Sequence, residues 1–428
     1  MSTVTFRALA SRESVLSSAE NFILYVLLEV LPQSDHAGRL PLNLGLVLDR
    51  SGSMYDEGRL DYVIEAVKYL IDHIGPEDRA AVVAFADRAQ LLAAVEGSEG
   101  RARAKQAIDG IDLLEIGGGT QMALGMEAAA AEVERHHAPN RLNRIIVLTD
   151  GQTYEERRCL DVAREKRERI SFSTLGVGVD FNEKLLMEIA EAGGANYHFI
   201  GDPANIPGIF SRELEGLKNV ALIGAEVKVR LSAGVHLKEA FRASPQIYAL
   251  RDVTPDAERT LVFPLGDTEA GVASSVLLAV VLPPRKPGRV RIAQATLCYD
   301  TPDGTSREQG SEVVVEYTLE RASVGKVNAY VMNLVDQVSI AKLQSRAEAE
   351  LSRGNVDKAT RLLGNAIAGT QRLGHSKATQ ALTSLRDEVQ KTQTLAGRVA
   401  KTRLLTAQAE VRKTQLLDPE ALKSVPGD

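Results

Sequence analysis

LGLVLDRSGSM, residues 44–54, is an apolar run that stops at Asp49 and continues with Ser51 and Ser53 at alternate positions. The run has the length and composition of a strand buried on both faces, and it ends in three oxygen-bearing side chains. Successive side chains of an extended segment alternate in direction. Asp49, Ser51 and Ser53 can therefore face one point if the loop stays extended.

Outward from this stretch, short apolar runs alternate with amphipathic segments over residues 42–218. The runs are LNLGLVL, AAVVAF, RIIVLTD and ISFSTLGVG. After the first, RLDYVIEAVKYLIDHI places Leu60, Val63, Ile64, Val67, Leu70, Ile71 and Ile74 on one helical face, and Gly75-Pro76 stops it. Further helices are expected near 101–114, 121–137, 154–169, 182–192 and 204–217. This is the pattern of an α/β fold, a doubly wound and mostly parallel sheet with right-handed crossovers.

Ligands of such sheets bind outside the carboxyl ends of the strands, and Asp49 stands at one. Two other stretches offer oxygens at comparable places. GGGTQMALGM puts Thr120 after three glycines near a helix start, and RIIVLTDG ends at Asp150. Two carboxylates and three hydroxyls from three junctions can ligate a hard dication and leave room for one exogenous oxygen. With no histidine or thiolate in the set, Mg²⁺ is expected, with Mn²⁺ or Ca²⁺ as alternatives, and Zn²⁺ is disfavoured.

The series Asp-x-Ser-x-Ser, a threonine after a glycine turn and an aspartate at a later strand end resembles the von Willebrand factor type A (VWA) family. TLGVGVDFNEKLLMEIAEAGGANYHFI is similar to the end of that domain. The resemblance implies a Rossmann-like domain over 41–218 with a metal-ion-dependent adhesion site (MIDAS). It also implies that Asp49, Ser51, Ser53, Thr120 and Asp150 hold the ion, directly or through water, while a partner's Asp or Glu completes the coordination. The layout is similar to bacterial intracellular members and, more distantly, to inter-alpha-trypsin inhibitor heavy chains.

Other chemistries fit less well. An EF-hand wants Gly at Met54 and Glu at Leu60. A haloacid dehalogenase-type phosphatase wants a second Asp at Ser51. Walker A, G-x-S-x-G and H-E-x-x-H motifs do not occur. A non-enzymatic protein-binding role is expected; the alternatives are a metal-assisted phosphohydrolase and an oligomerising scaffold with a structural metal. His136-His137 read as a helix-end pair, Asp180 and Asp202 as helix caps, and Asp56 and Glu57 as a solvated loop.

Outside the α/β unit, residues 219–321 show strand-like runs between Pro, Gly and Asp turns, as in a β-sandwich. The strand-like segment 1–40 is expected to pair with it. Residues 322–428 read as helical, with breaks at SRGNVDKAT and RLGHSKAT, and carry 16 Lys+Arg against 10 Asp+Glu, which leaves −12 for the rest of a chain of net charge −6. The basic stretch 391–415 lacks interleaved aromatics and suits an exposed helix face, so nucleic acid is not an expected partner. A homo-oligomer through this tail is an option. No apolar stretch is long enough for a membrane span, the first residues lack a secretory core, and Cys159 and Cys298 stand far apart, so a cytoplasmic setting is expected.

Overall fold

The computed structural model describes residues 4–17, 20–33, 40–138, 140–251, 253–321, 324, 327–394 and 397–416. Three strands come first: β1 (Val4–Ala10), β2 (Ser14–Leu16) and β3 (Phe22–Pro32). An α/β unit follows. Its elements are β4 (Leu42–Asp49), α1 (Arg59–His73), β5 (Arg79–Phe85), β6 (Ala89–Glu96), α2 (Arg101–Asp109), α3 (Met122–Arg135), β7 (Leu142–Thr149), α4 (Glu156–Lys166), β8 (Ser171–Val177), α5 (Glu183–Ala192), β9 (Gly194–Ile200) and α6 (Ile206–Lys218). The chain returns to strands with β10 (Val220–Leu231), β11 (His236–Ser244), β12 (Tyr248–Leu250), β13 (Thr260–Glu269), β14 (Ser274–Leu282), β15 (Gly288–Asp300) and β16 (Ser306–Thr318). Helices α7 (Ala329–Ser352), α8 (Val356–Arg372), α9 (Ser376–Thr392) and α10 (Arg398–Arg412) close the described chain.

The α/β sheet has the order β6-β5-β4-β7-β8-β9, parallel except for the edge strand β6. Every residue of β4 and β7 is buried, because helices cover both faces. Leu44, Leu46 and Leu48 pack with Val63, Val67 and Leu70 of α1, while Val47 packs with Ala123, Met126 and Ala129 of α3. Gly125 decides how close α3 comes: a Cβ there would lie 2.8 Å from Val47 and 2.9 Å from Phe85. That approach brings the loop ahead of α3 over the end of β4. The helix expected over 101–114 ends at Asp109, and after Gly110 the chain makes only a 3₁₀ turn, Ile111–Leu113.

Two five-stranded sheets, β1-β3-β14-β11-β12 and β13-β10-β15-β16-β2, form the sandwich. β3 pairs with β1 on one side and β14 on the other, so strands that precede and follow the α/β unit share one sheet. Leu24, Val26 and Leu28 face the opposite sheet, and Leu27 lies under Val331, Leu334 and Val338 of α7. Covered on both faces, FILYVLLEVLP runs apolar almost without alternation. Among the described residues no helix is long and apolar enough to cross a membrane.

The last helix departs from the exposed face expected of 391–415. Leu405 enters the core of the α/β unit, and Arg398, Lys401 and Arg412 pair with Glu57, Asp180 and Glu183 of that unit. Local charge pattern cannot distinguish a solvated lysine face from one matched by carboxylates remote in sequence.

Glu348 of α7 meets Gln408 and Arg412 of α10 and Glu183 of α5 beside a cavity of about 1410 Å³ where the three units join. Burial pushes its carboxyl up to about 7, more than Arg412 brings it down. The folded state therefore holds this proton more tightly than the unfolded state, and the stabilisation is lost as pH rises through about 7. Glu348→Gln should stabilise the protein by about 1–2 kcal/mol at pH 8 and change little at pH 5. Thermal melts at both pH values check this; equal effects at the two would refute it.

Candidate metal centre

The strand order reverses direction at β4, between β5 and β7, and the five oxygens gather at the carboxyl ends of β4 and β7. This is the topological switch point, where flanking connections leave in opposite directions and open a crevice. Asp49 and Asp150 are both fully buried, Ser51 is buried, and Ser53 and Thr120 are partly exposed. The Ser51 and Ser53 hydroxyls lie 3.2 Å apart, and Ser53 Oγ donates to Asp150 Oδ1 at 2.7 Å. A Cβ on Gly151 would lie 3.2 Å from Thr120 Oγ1 and 3.8 Å from Asp49 Oδ2, so these two oxygens flank the same glycine.

Asp49 is fixed at both oxygens. Ser51 N–H donates to Oδ1 at 2.8 Å, and the Thr149 hydroxyl donates to Oδ2. Burial pushes its carboxyl up to about 6, against the hydrogen bonds from Thr149 and Ser51 that favour the charged form. Asp150 receives the Arg59 guanidinium, which is itself almost wholly buried at the first residue of α1.

Three contributors escape sequence reading. Asp87, two residues past β5, anchors the glycine loop: Gly118 N–H donates to its Oδ2 at 3.1 Å. A Cβ on Gly117 or Gly119 would fall 1.9 or 2.2 Å from the Asp87 carboxylate, which explains these two of the three glycines before Thr120. Thr149 precedes Asp150 and looks like the last residue of a strand, while Arg59 looks like an ordinary helix start. Only the assembled fold puts them on Asp49 and Asp150. Arg50 ties two loops together by donating to Gly117 O at 2.8 Å and Asp112 O at 2.9 Å.

The expected caps divide. Asp202 accepts from Ala204 N–H at 3.0 Å, as a cap does. At α5 the cap is Asn182, which accepts from Leu185 N–H at 3.1 Å, and Asp180 faces Lys401 instead. Two more residues between Asp180 and the first turn leave its carboxylate out of reach.

The donor set fits a hard divalent ion. Two buried carboxylates face one guanidinium, which leaves an uncompensated negative charge in a low-dielectric crevice. The remaining donors are neutral hydroxyls, and among the described residues no trio of His, Cys, Asp or Glu forms an alternative centre.

Residues 43–212 match the von Willebrand factor type A domain family, and residues 329–409 match the Sll0103-like C-terminal alpha-helical domain. The protein sll0103 of Synechocystis sp. is 31% identical over 274 residues, 63% of this chain and 64% of that protein. YfbK of Escherichia coli is 26% identical over 211 residues, 47% of this chain and 36% of that protein. The matched region thus spans less than two thirds of the length of either bacterial relative. Among solved structures, a von Willebrand factor type A protein from Catenulispora acidiphila superposes with a TM-score of 0.81 at 20% identity, covering 96% of this chain and 97% of that one. The ArnB paralog VWA2 from Sulfolobus acidocaldarius gives 0.61 at 16% identity over 96% and 98%. At such identities these two likenesses concern the fold.

Proposed function

With residues 43–212 a von Willebrand factor type A domain, we propose that the chain is a non-enzymatic protein-interaction module in which Asp49, Ser51, Ser53, Thr120 and Asp150 hold Mg²⁺ and a partner's Asp or Glu side chain completes the site. The convergence of five oxygens from three loops at the switch point carries this reading. When bound, the ion supplies a Lewis-acidic position for a carboxylate oxygen.

The chain's own residues set the terms of that exchange. Asp49 and Asp150 anchor from below, and Asp49 is already held at both oxygens, so little ordering of it remains to be done on binding. Ser51, Ser53 and Thr120 are neutral, so they leave an ion's charge less fully offset than carboxylates would. Ser53 and Thr120 are also the partly exposed members, on the side open to a partner. The two free cysteines, Cys159 and Cys298, suit a cytoplasmic setting.

The phosphohydrolase alternative needs a cation free to clamp phosphate. Arg50 is spent on two loop carbonyls and Arg59 on Asp150, which disfavours it.

Ser51→Asp tests the charge argument. Titration with Mg²⁺ and binding of an immobilised peptide library with a fixed Asp or Glu are the two readouts. Metal should be retained within about tenfold while carboxylate capture falls by about 100-fold. Equal losses in both would count against this function, and a peptide signal indifferent to Mg²⁺ would remove its basis.

A further inference from the structure

Arg59 is in an unfavourable place for a purely structural residue. It is 3% exposed and occupies the first position of α1, where the positive end of the helix dipole repels a cation. Its Nε has no hydrogen-bond partner in the described structure. Gly178, at φ 76°, lets the backbone lie against the guanidinium, since a Cβ there would sit 3.2 Å from Nη2. What holds the charge is Asp150 on one side and Glu57, 3.5 Å from Nη2, on the other.

Glu57 is shared. Its Oε2, the atom that faces Arg59, also takes Nη2 of Arg398, the first residue of α10, at 2.6 Å. Glu57 adopts φ 57°, ψ 20°, a left-handed conformation unusual for a side chain of this kind, and Gly58 beside it has φ 66°. Lys401, one turn on, reaches Asp180 at 3.7 Å, and Leu405 sits in the α/β core, so α10 is seated on the domain at this point. Two guanidiniums from different units thus compete for one carboxylate, and one of them is bound to a metal-site aspartate.

We propose that Arg59 is a positioning residue which balances Asp150 when no ion is bound, and that its partition between Asp150 and Glu57 couples ion binding to the seating of α10 through Arg398. This rests on the metal reading of the site. A divalent ion at Asp150 repels the guanidinium and shifts it toward Glu57. There it displaces Arg398, and α10 loosens at its start. By linkage, removing Arg398 frees Glu57 for Arg59 and tightens ion binding, whereas neutralising Glu57 leaves Arg59 only Asp150 and weakens it.

The test uses the full chain, with Mn²⁺ as the probe, by calorimetry and by amide hydrogen exchange of α10. Arg398→Ala should tighten Mn²⁺ binding about 2- to 5-fold, the range expected for one exposed ion pair. The effect should vanish in the Glu57→Gln background, and saturating Mn²⁺ should speed exchange over 398–405 in the wild type. Arg59→Lys should retain the coupling in weakened form, whereas Arg59→Met should abolish it. Additive effects of Glu57→Gln and Arg398→Ala, with exchange in α10 unchanged by Mn²⁺, would overturn the coupling while leaving the metal site standing. No Mn²⁺ binding by the wild type, or equal binding by Asp49→Asn, would overturn the metal reading and the coupling with it.

Discussion

Asp49→Asn is expected to weaken divalent-ion binding by at least about 100-fold while leaving the metal-free protein as stable as the wild type or slightly more so. The two halves of this expectation have different causes. Ion binding fails because the neutral amide offers a poorer ligand and removes one of the two carboxylates. The fold survives because the amide oxygen still accepts from Ser51 N–H, and the Thr149 hydroxyl can turn to accept from the new NH₂. A buried charge without a cationic partner is removed as well, which relieves desolvation rather than adding to it.

Thermal unfolding with and without Mg²⁺ separates these effects. At an ion concentration of about 100 Kd the wild type gains about 2.7 kcal/mol, a shift of about 5–10 °C for a unit of this size. The variant should show no shift. Asp49→Ala is the less informative change, because it leaves the Thr149 hydroxyl and Ser51 N–H without their partner. A wild type that Mg²⁺ does not stabilise, or an Asn variant stabilised equally, would show that Asp49 holds no ion.

The second large effect lies away from the metal centre, where the α/β unit meets the sandwich. Arg144 of β7 is buried. It donates to Glu213 Oε1 of α6 at 3.1 Å, Asp267 Oδ2 of β13 at 3.1 Å and Ser173 Oγ of β8 at 3.0 Å. Glu213 also contacts His198 Nε2 at 3.1 Å, and Asp267 accepts from Ser171 Oγ at 3.0 Å and Gly224 N–H at 3.1 Å. Burial alone would push the Glu213 carboxyl up, but His198, Arg144 and Ser173 outweigh it and bring it down to about 2.

Arg144→Met keeps the side chain's length and removes the charge, leaving the buried Asp267 carboxylate without its guanidinium and Glu213 with His198 and Ser173. A loss of about 3–5 kcal/mol is expected, measured as a lower denaturation midpoint. The pH dependence gives a second signature. Because the folded-state pKa of Glu213 is depressed, its contribution is present above about 4.5 and is lost as pH falls toward 2. Without Arg144 the depression shrinks, so acid unfolding should begin at a higher pH. A midpoint within about 0.5 kcal/mol of wild type at pH 7 would mean that water replaces the guanidinium and that the joint is not dry.

These two sites differ in how much of them could be read in advance. Asp49, Ser51 and Ser53 stand within five residues, although the extended alternation expected of them holds only to Ser51, since Ser53 lies in the 3₁₀ segment Gly52–Gly58. Asp150 follows from the same logic at another strand end, and Thr120 from the glycine loop before a helix start. The Arg144 joint leaves no such trace, since Arg144 sits inside an apolar strand that predicts burial, and Glu213 lies on a helix face that reads as polar. Nothing local pairs residues 69 positions apart. α10 shows the same limit, because its basic residues read as a solvated face until the acidic residues of another unit are set opposite them.

The sequence by itself determined the alternation of buried strands and amphipathic helices, the shift to strand-rich and then helical segments, and the oxygens at the strand ends. Each of these is written in periodicity or spacing over a few residues, where chain geometry alone decides which side chains share a face. Only the tertiary structure decided that Thr149 would orient Asp49, that Asp87 would require glycine at 117 and 119, that Arg59 would balance Asp150, and that Arg398 would compete for Glu57. The pairings at Asp49 and Asp150 depend on buried charge seeking a partner at hydrogen-bond distance, and those at Asp87 and Glu57 on exposed groups set side by side by the fold. In a folded chain that partner is supplied by packing, without regard to sequence separation.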